Sequence, residues 1–153
     1  MRKLDPEIFT QDFVDFLHCL DKAKVESILV GGYAVVMHGY HRTTGDLDVW
    51  VNPTRENFAR LMQAFAAFGL PTNAIPEEVF LQLERQDVFT FGRPPVALDI
   101  LTKVKGLDFD EAYAKAEPLA LQNSVVRLIH LNDLREAKRS AGRHRDLDDL
   151  ENL

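Results

Sequence analysis

The sequence predicts one mixed α/β domain, a small mixed β-sheet flanked by helices and followed by a helical C-terminal segment. Three observations lead there. Helix-type and strand-type apolar patterns alternate along the chain, and cap and turn residues fall between them. The 153 residues, 46% of them hydrophobic, are enough for one core and contain no repeat, low-complexity tract or linker. The expected organisation is a single domain over 1–153, with its core over about 25–104 and a helical tail over about 132–153.

Each element has its own reason. Thr10 caps a helix that turns Phe13, Val14, Phe16, Leu17 and Leu20 inward and ends near Lys24. Ser27 to Val30 reads as a strand, and Tyr33 to His38 as a short helix closed by Gly39. Leu47 to Val51 is a second strand, rich in β-branched and aromatic residues and stopped by Asn52-Pro53. Thr54 then caps a helix with Phe58, Leu61, Met62 and Phe65 on one face, ended by Gly69 and Pro71. Pro76 opens a short helix, PEEVFLQLER. Strands are expected at Val88 to Phe91 and Val96 to Leu101, around the turn Gly92-Arg93-Pro94-Pro95. A helix over Phe109 to Lys115, a strand over Val125 to Leu131 and a helix over Asp133 to Ser140 follow; Gly142 separates a last helix, Arg145 to Asn152.

Composition narrows the function. A formal charge of −6 argues against a broad electrostatic nucleic-acid binder, though not against a local basic strip. Cys19 is the only cysteine, so an intramolecular disulfide is excluded, and its helical setting reads as a small core residue. The N-terminus MRKLDPEIFT is too polar for a secretory signal and no apolar stretch is long enough to span a membrane, so a cytoplasmic protein is expected.

Chemistry concentrates between Ile28 and Val51. The chain has three Asp-x-Asp pairs, Asp46/Asp48, Asp108/Asp110 and Asp146/Asp148, so spacing alone does not single one out. Context does. Residues two apart on a strand share a face, so Asp46 and Asp48 can converge on one cation. Asp146 and Asp148 lie in the helical pattern RDLDDLENL and diverge, and Asp108 is placed to cap a helix. Upstream, Gly31-Gly32 sits at a strand-to-helix junction, where missing side chains let backbone N–H groups approach phosphate oxygens. The plain alternative is a tight turn. Neither a P-loop nor a dinucleotide fingerprint is present.

Two acids call for a third if they are to hold a hard cation. Asp99, alone in the apolar run PVALDILT, is the candidate, because a carboxylate there needs a compensating partner. The plain alternative is a solvated sheet face. If the Asp99 strand lies beside the Asp48 strand, Asp46, Asp48 and Asp99 form a Mg2+ or Mn2+ site. Two cations about 3.5–4 Å apart would then clamp the attacking and leaving oxygens of an in-line nucleotidyl transfer. Asp99 could accept the acceptor hydroxyl's proton. Arg42, Thr43 and Thr44 precede the acids and are candidates for triphosphate oxygens; alternatively, Arg42 neutralises Asp46.

The stretch GGYAVVMHGYHRTTGDLDVWV, with a third Asp on a later strand, resembles the nucleotidyltransferase superfamily with the polymerase-β-type fold. It is most similar in feel to small bacterial proteins related to abortive-infection toxin and lincosamide-type antibiotic nucleotidyltransferases. The resemblance covers about Ile28 to Leu101 and implies a nucleotidyltransferase-like catalytic core. It implies Gly31 and Gly32 for nucleotide phosphates, and Asp46, Asp48 and Asp99 for metal and catalysis. The tail LIHLNDLREAKRSAGRHRDLDDLENL also looks like the end of uncharacterised members of the group.

In that tail, Arg135, Lys138, Arg139, Arg143 and Arg145 read as a solvated helix face among acids; the functional alternative is Lys138 reaching a triphosphate, or the strip meeting an RNA acceptor. None of the five histidines has metal-ligand spacing, and Trp50 reads as core. The expected activity is transfer of an NMP from an NTP to a hydroxyl on a small molecule, RNA or protein. So short a chain has little left for an acceptor-binding domain, so a homodimer, a partner chain or a macromolecular acceptor would choose the acceptor. The competing readings are a non-catalytic nucleotide-binding or toxin–antitoxin partner and a metal-dependent phosphohydrolase. Three converging acids are superfluous in the first, and the additional His ligands or Asp nucleophile motif of the second are not apparent.

Overall fold

The computed structural model describes residues 1–82, 84–93 and 96–153, with Val96 described by its backbone alone. A two-residue strand, Arg2–Lys3 (β1), and a 3-10 turn at Pro6–Ile8 lead into α1 (Gln11–Lys22), β2 (Ser27–Val30) and α2 (Gly31–Met37). Then come β3 (Leu47–Val51), α3 (Arg55–Phe68), α4 (Glu77–Phe80), β4 (Val88–Arg93) and β5 (Val96–Leu101). The chain ends with α5 (Phe109–Lys115), β6 (Glu117–Leu121), β7 (Ser124–Leu128), α6 (Leu131–Ala141) and α7 (His144–Glu151).

All seven strands join one sheet in the order β1-β6-β7-β2-β3-β5-β4. It is mixed. The pairs β1–β6, β7–β2 and β3–β5 are parallel, whereas β6–β7, β2–β3 and β5–β4 are antiparallel. The mixed α/β class expected from the pattern is therefore the observed one.

The caps act where the sequence places them. Thr10 Oγ1 accepts the Phe13 N–H at 3.3 Å, Thr54 Oγ1 the Asn57 N–H at 3.2 Å, and Asp108 Oδ2 the Glu111 N–H at 3.1 Å. Helix α3 stops at Gly69, whose φ of 103° is left-handed and whose N–H reaches Phe65 O at 2.8 Å. The apolar face of α1 packs on α3 and β7. There Phe16 meets Phe65 and Phe68 at centroid distances of 6.1 and 5.2 Å. Trp50 is 1% exposed against the edge of Phe109, as a core residue should be, and Cys19 is half-buried at the margin of the core.

Asn57 fixes the strands that matter most for the site. Fully buried, it accepts the Glu26 N–H at 2.8 Å and donates to Glu26 O at 3.0 Å and Asn52 O at 2.9 Å. It thereby ties the start of β2 to the end of β3.

Sequence and structure part in five places. β6 carries Pro118 and few β-branched residues, so it looks unlike a strand. It forms because Leu119 and Leu121 are buried and the Gln122-Asn123 turn, with Gln122 at φ 54°, folds it onto β7. β1 is too short to show any period and exists by pairing with β6. β7 ends at Leu128 rather than Leu131, because His130 caps α6 by accepting the Asn132 N–H at 3.0 Å. The helix expected over PEEVFLQLER is the four-residue α4, with Leu83 outside the described residues; Gly92 and Arg93 continue β4, and Pro94 and Pro95 also lie outside them.

Among the described residues, no helix is long and apolar enough to cross a membrane.

Candidate functional site

The antiparallel pairing of β2 with β3, the parallel pairing of β3 with β5 and the antiparallel pairing of β5 with β4 build one row of residues across the sheet. Val30 lies opposite Asp48, Asp48 opposite Asp99, and Asp99 opposite Thr90. Partners in register project from the same face. Asp48 and Asp99, 51 positions apart in the chain, therefore stand side by side and share a hydrogen bond. Asp46, two residues before Asp48, lines the same cleft, and its Oδ1 accepts the Ala97 N–H at 3.1 Å. The three acids picked out from sequence are thus brought together.

The cleft has a volume of about 420 Å³. Its walls include Gly31, Gly32, Arg42, Thr44, the three acids, Lys138 and Asp146. Both glycines are sites of close approach. Gly31 has φ +71°, and a Cβ there would lie 2.0 Å from Asp48 Oδ2; at Gly32 it would lie 2.1 Å from Thr44 Oγ1. The room left by the missing side chains is filled first by the protein's own carboxylate and hydroxyl. Thr43 is exposed and does not line the cleft; its carbonyl accepts from Arg42 Nη1 at 3.0 Å.

Crowding shows in the electrostatics. Burial first, then the hydrogen bond and charge of Asp99, then Asp46, push the Asp48 carboxyl up to about 7, against a smaller opposing pull from Lys138. A neutral acid, or a cation beside it, relieves this.

Three of the positive charges that line the cleft, Arg42, Lys138 and Arg143, are held by acids from the tail. Arg42 does not pair with Asp46, the alternative raised by their proximity in sequence. Its guanidinium forks onto Asp149, Nε to Oδ1 at 2.7 Å and Nη2 to Oδ2 at 2.9 Å. Lys138 Nζ sits 3.0 Å from Asp149 Oδ2 and 3.5 Å from Asp146 Oδ1, and Arg143 Nε donates to Asp146 Oδ2 at 2.7 Å. Tyr40 OH adds a bond to Asp148 at 2.9 Å. Burial alone would raise both inner acids. Arg42 and Lys138 nevertheless hold Asp149 below the usual carboxylate range, and Arg143 and Lys138 do the same for Asp146.

The tail is therefore more than a solvated strip. Lys138 is 8% exposed, and α7 hooks the loop between α2 and β3 into place. Asp146, Asp149 and Arg143 were not expected at the site. Their signal was the helical spacing of Asp146 and Asp149, three apart and so on one face, opposite a basic helix. Arg139 fits the solvated reading better, exposed and paired with half-buried Glu136, while half-buried Arg135 donates through Nη2 to Leu153 O at 2.5 Å.

Can the carboxylates take a cation? Among the described residues, no three His, Cys, Asp or Glu side chains close into a ready-made metal cluster. The donor set still suits a hard divalent ion. Mg2+ commonly takes one or two carboxylates and completes its shell with water and substrate phosphate. The Asp48–Asp99 pair meets that requirement, and Asp46 keeps an oxygen free of the Ala97 bond. No protein-family model matches the chain, and no curated protein matches it.

Proposed function

We propose that the cleft binds a nucleoside triphosphate with Mg2+ or Mn2+ and transfers its NMP group to a hydroxyl of an acceptor, on a nucleotidyltransferase-like fold. The observation that carries this reading is the Asp48–Asp99 pair, in register on adjacent parallel strands against the Gly31 bend, with Asp46 in the same cleft. A pair of acids in register on parallel strands, faced by close backbone and by Lys138, has the equipment for phosphoryl chemistry and little for anything else.

In this reading Asp46, Asp48 and Asp99 hold the cation, which when bound supplies neutralisation of the triphosphate and of the attacking oxygen. The protein's own groups do the rest. Gly31 lets the Asp48 carboxylate close against the bend, and Gly32 lets Thr44 set its hydroxyl on the cleft wall, within reach of a phosphate oxygen. Lys138 places one positive charge on the cleft wall, fixed between Asp146 and Asp149. Arg42 holds the loop that presents Asp46 by way of Asp149, and its fork onto that acid makes it a support more than a phosphate ligand. An acceptor oxygen attacks the α-phosphorus, its proton passes to an Asp99 oxygen, the bond to the β-phosphate breaks, and pyrophosphate leaves.

The test is transfer itself. Wild-type protein is incubated with each α-labelled NTP, Mg2+ or Mn2+ and cell extract, and the label is followed into RNA, protein or small molecules. Metal-dependent labelling of one fraction that Asp99→Asn abolishes is expected; labelling by no nucleotide, or equal labelling by Asp99→Asn, contradicts the proposal.

A further inference from the structure

The carboxylate row ends on the outermost strand, where Thr90 lies in register with Asp99 and its Oγ1 donates to Asp99 Oδ1 at 2.7 Å. Thr90 is exposed, so burial does not explain a polar partner there. We infer that Thr90 is a positioning residue: its hydroxyl fixes the rotation of the Asp99 carboxylate and so presents the other oxygen to the cation site between Asp99 and Asp48. This inference rests on the cleft being a divalent-cation site.

The geometry needs such a grip. Each of the other acids is already held by rigid backbone. Gly31 closes against Asp48 so tightly that a single added carbon would meet Oδ2 at 2.0 Å, and the Ala97 N–H holds Asp46 at 3.1 Å. Asp99 faces the sheet edge, and a carboxylate turns broadly about its last bond. Beyond it in the row lies only β4, with Thr90 as its register partner. Threonine suits the task, because β-branching stiffens χ1 and so fixes where its oxygen points. The hydroxyl's single proton goes to Oδ1, and among the described residues the only other group hydrogen-bonded to the Asp99 carboxyl is Asp48, its partner at the cation site. Asp48 and Asp99 are thus gripped from opposite sides, by the glycine bend and by the edge-strand hydroxyl. Groups that orient a metal ligand from behind commonly change metal affinity by about 10–100-fold when removed.

The experiment measures Mn2+ affinity of the full chain from the loss of the free-ion electron paramagnetic resonance signal, with urea midpoints recorded in metal-free buffer. Thr90→Val keeps the shape, Thr90→Ala also lacks the hydroxyl should the valine variant fold poorly, and Thr90→Ser restores it. Expected are an about tenfold weaker Mn2+ affinity for the valine and alanine variants and near wild-type affinity for serine. Urea midpoints should follow strand propensity and not the metal result. Wild-type affinity in Thr90→Val and Thr90→Ala overturns the inference alone, as does serine as weak as valine, which would assign the effect to the methyl group. Equal Mn2+ affinity in wild type and Asp48→Asn removes the cation site itself, and the inference with it.

Discussion

Replacing Asp48 by Asn should make the metal-free protein more stable at neutral and alkaline pH. The folded-state carboxyl lies at about 7, against 3.8 for the free side chain, with burial as the largest cause and Asp99 next. Between about pH 4 and pH 7 the folded protein keeps a proton that the unfolded chain releases, so the stability linked to Asp48 is full below about 4 and falls as pH rises through about 7. A rise from 3.8 to about 7, at about 1.4 kcal/mol for each tenfold change in proton affinity, makes that loss about 4 kcal/mol by pH 8. Asn keeps the size of Asp, carries no charge and can donate to Asp99. For a chain of 153 residues, each kcal/mol moves the melting temperature by about 2–4 °C, so a recovery of half the penalty raises it by about 4–8 °C. The assay is calorimetry of wild type and Asp48→Asn in chelator at pH 4 and pH 8. The variant should melt higher at pH 8 and within about 2 °C of wild type at pH 4. A variant melting at or below wild type at both pH values would refute the view that Asp48 is a strained carboxylate awaiting a cation.

Other perturbations reach the same architecture from different sides. Gly31→Ala places a carbon 2.0 Å from Asp48 Oδ2 at a φ of +71° and should lower urea stability by about 3 kcal/mol or more, whereas a loss under 1 kcal/mol would mean the bend relaxes freely. Asp149→Ala strands Arg42 and leaves Lys138 with Asp146 alone, and should cost about 3–5 kcal/mol in urea titration; a loss near that of a surface pair would show that α7 does not hold the loop. Asn57→Ala removes three hydrogen bonds from a fully buried side chain and should cost about 2–4 kcal/mol, measured by the same titration, with less than 1 kcal/mol contradicting its role in joining β2 to β3.

What could be read from sequence, and what could not, follows the range of the interactions. The strands Ser27–Val30 and Leu47–Val51 and the helix Phe109–Lys115 appear with the expected boundaries, because apolar period, caps and stops are all local. Asp99 was legible for a different reason: a charge in an apolar strand needs a partner, whichever strand supplies it. β6 was not, since pairing with β7 makes it a strand and no local preference does. The Arg42–Asp149 fork joins positions 107 apart, and Arg42 had a nearer acid to choose in Asp46. Charge in sequence shows that a cation needs an anion, but only packing decides which. Thr90 gave no sign at all, because its significance comes from lying opposite Asp99 on the outer strand.

Calorimetric titration of an NTP whose α–β bridge cannot be cleaved, with and without Mn2+, into wild type and the single variants Asp46→Asn, Asp48→Asn and Asp99→Asn tests the central claim most directly. That claim is that Asp48 and Asp99 on adjacent strands, with Asp46 just before β3, act as one cation and nucleotide site. Saturable binding that requires Mn2+ in wild type and is lost in each variant is the expected result. Binding indifferent to Mn2+, or preserved when Asp99 is changed, would contradict it.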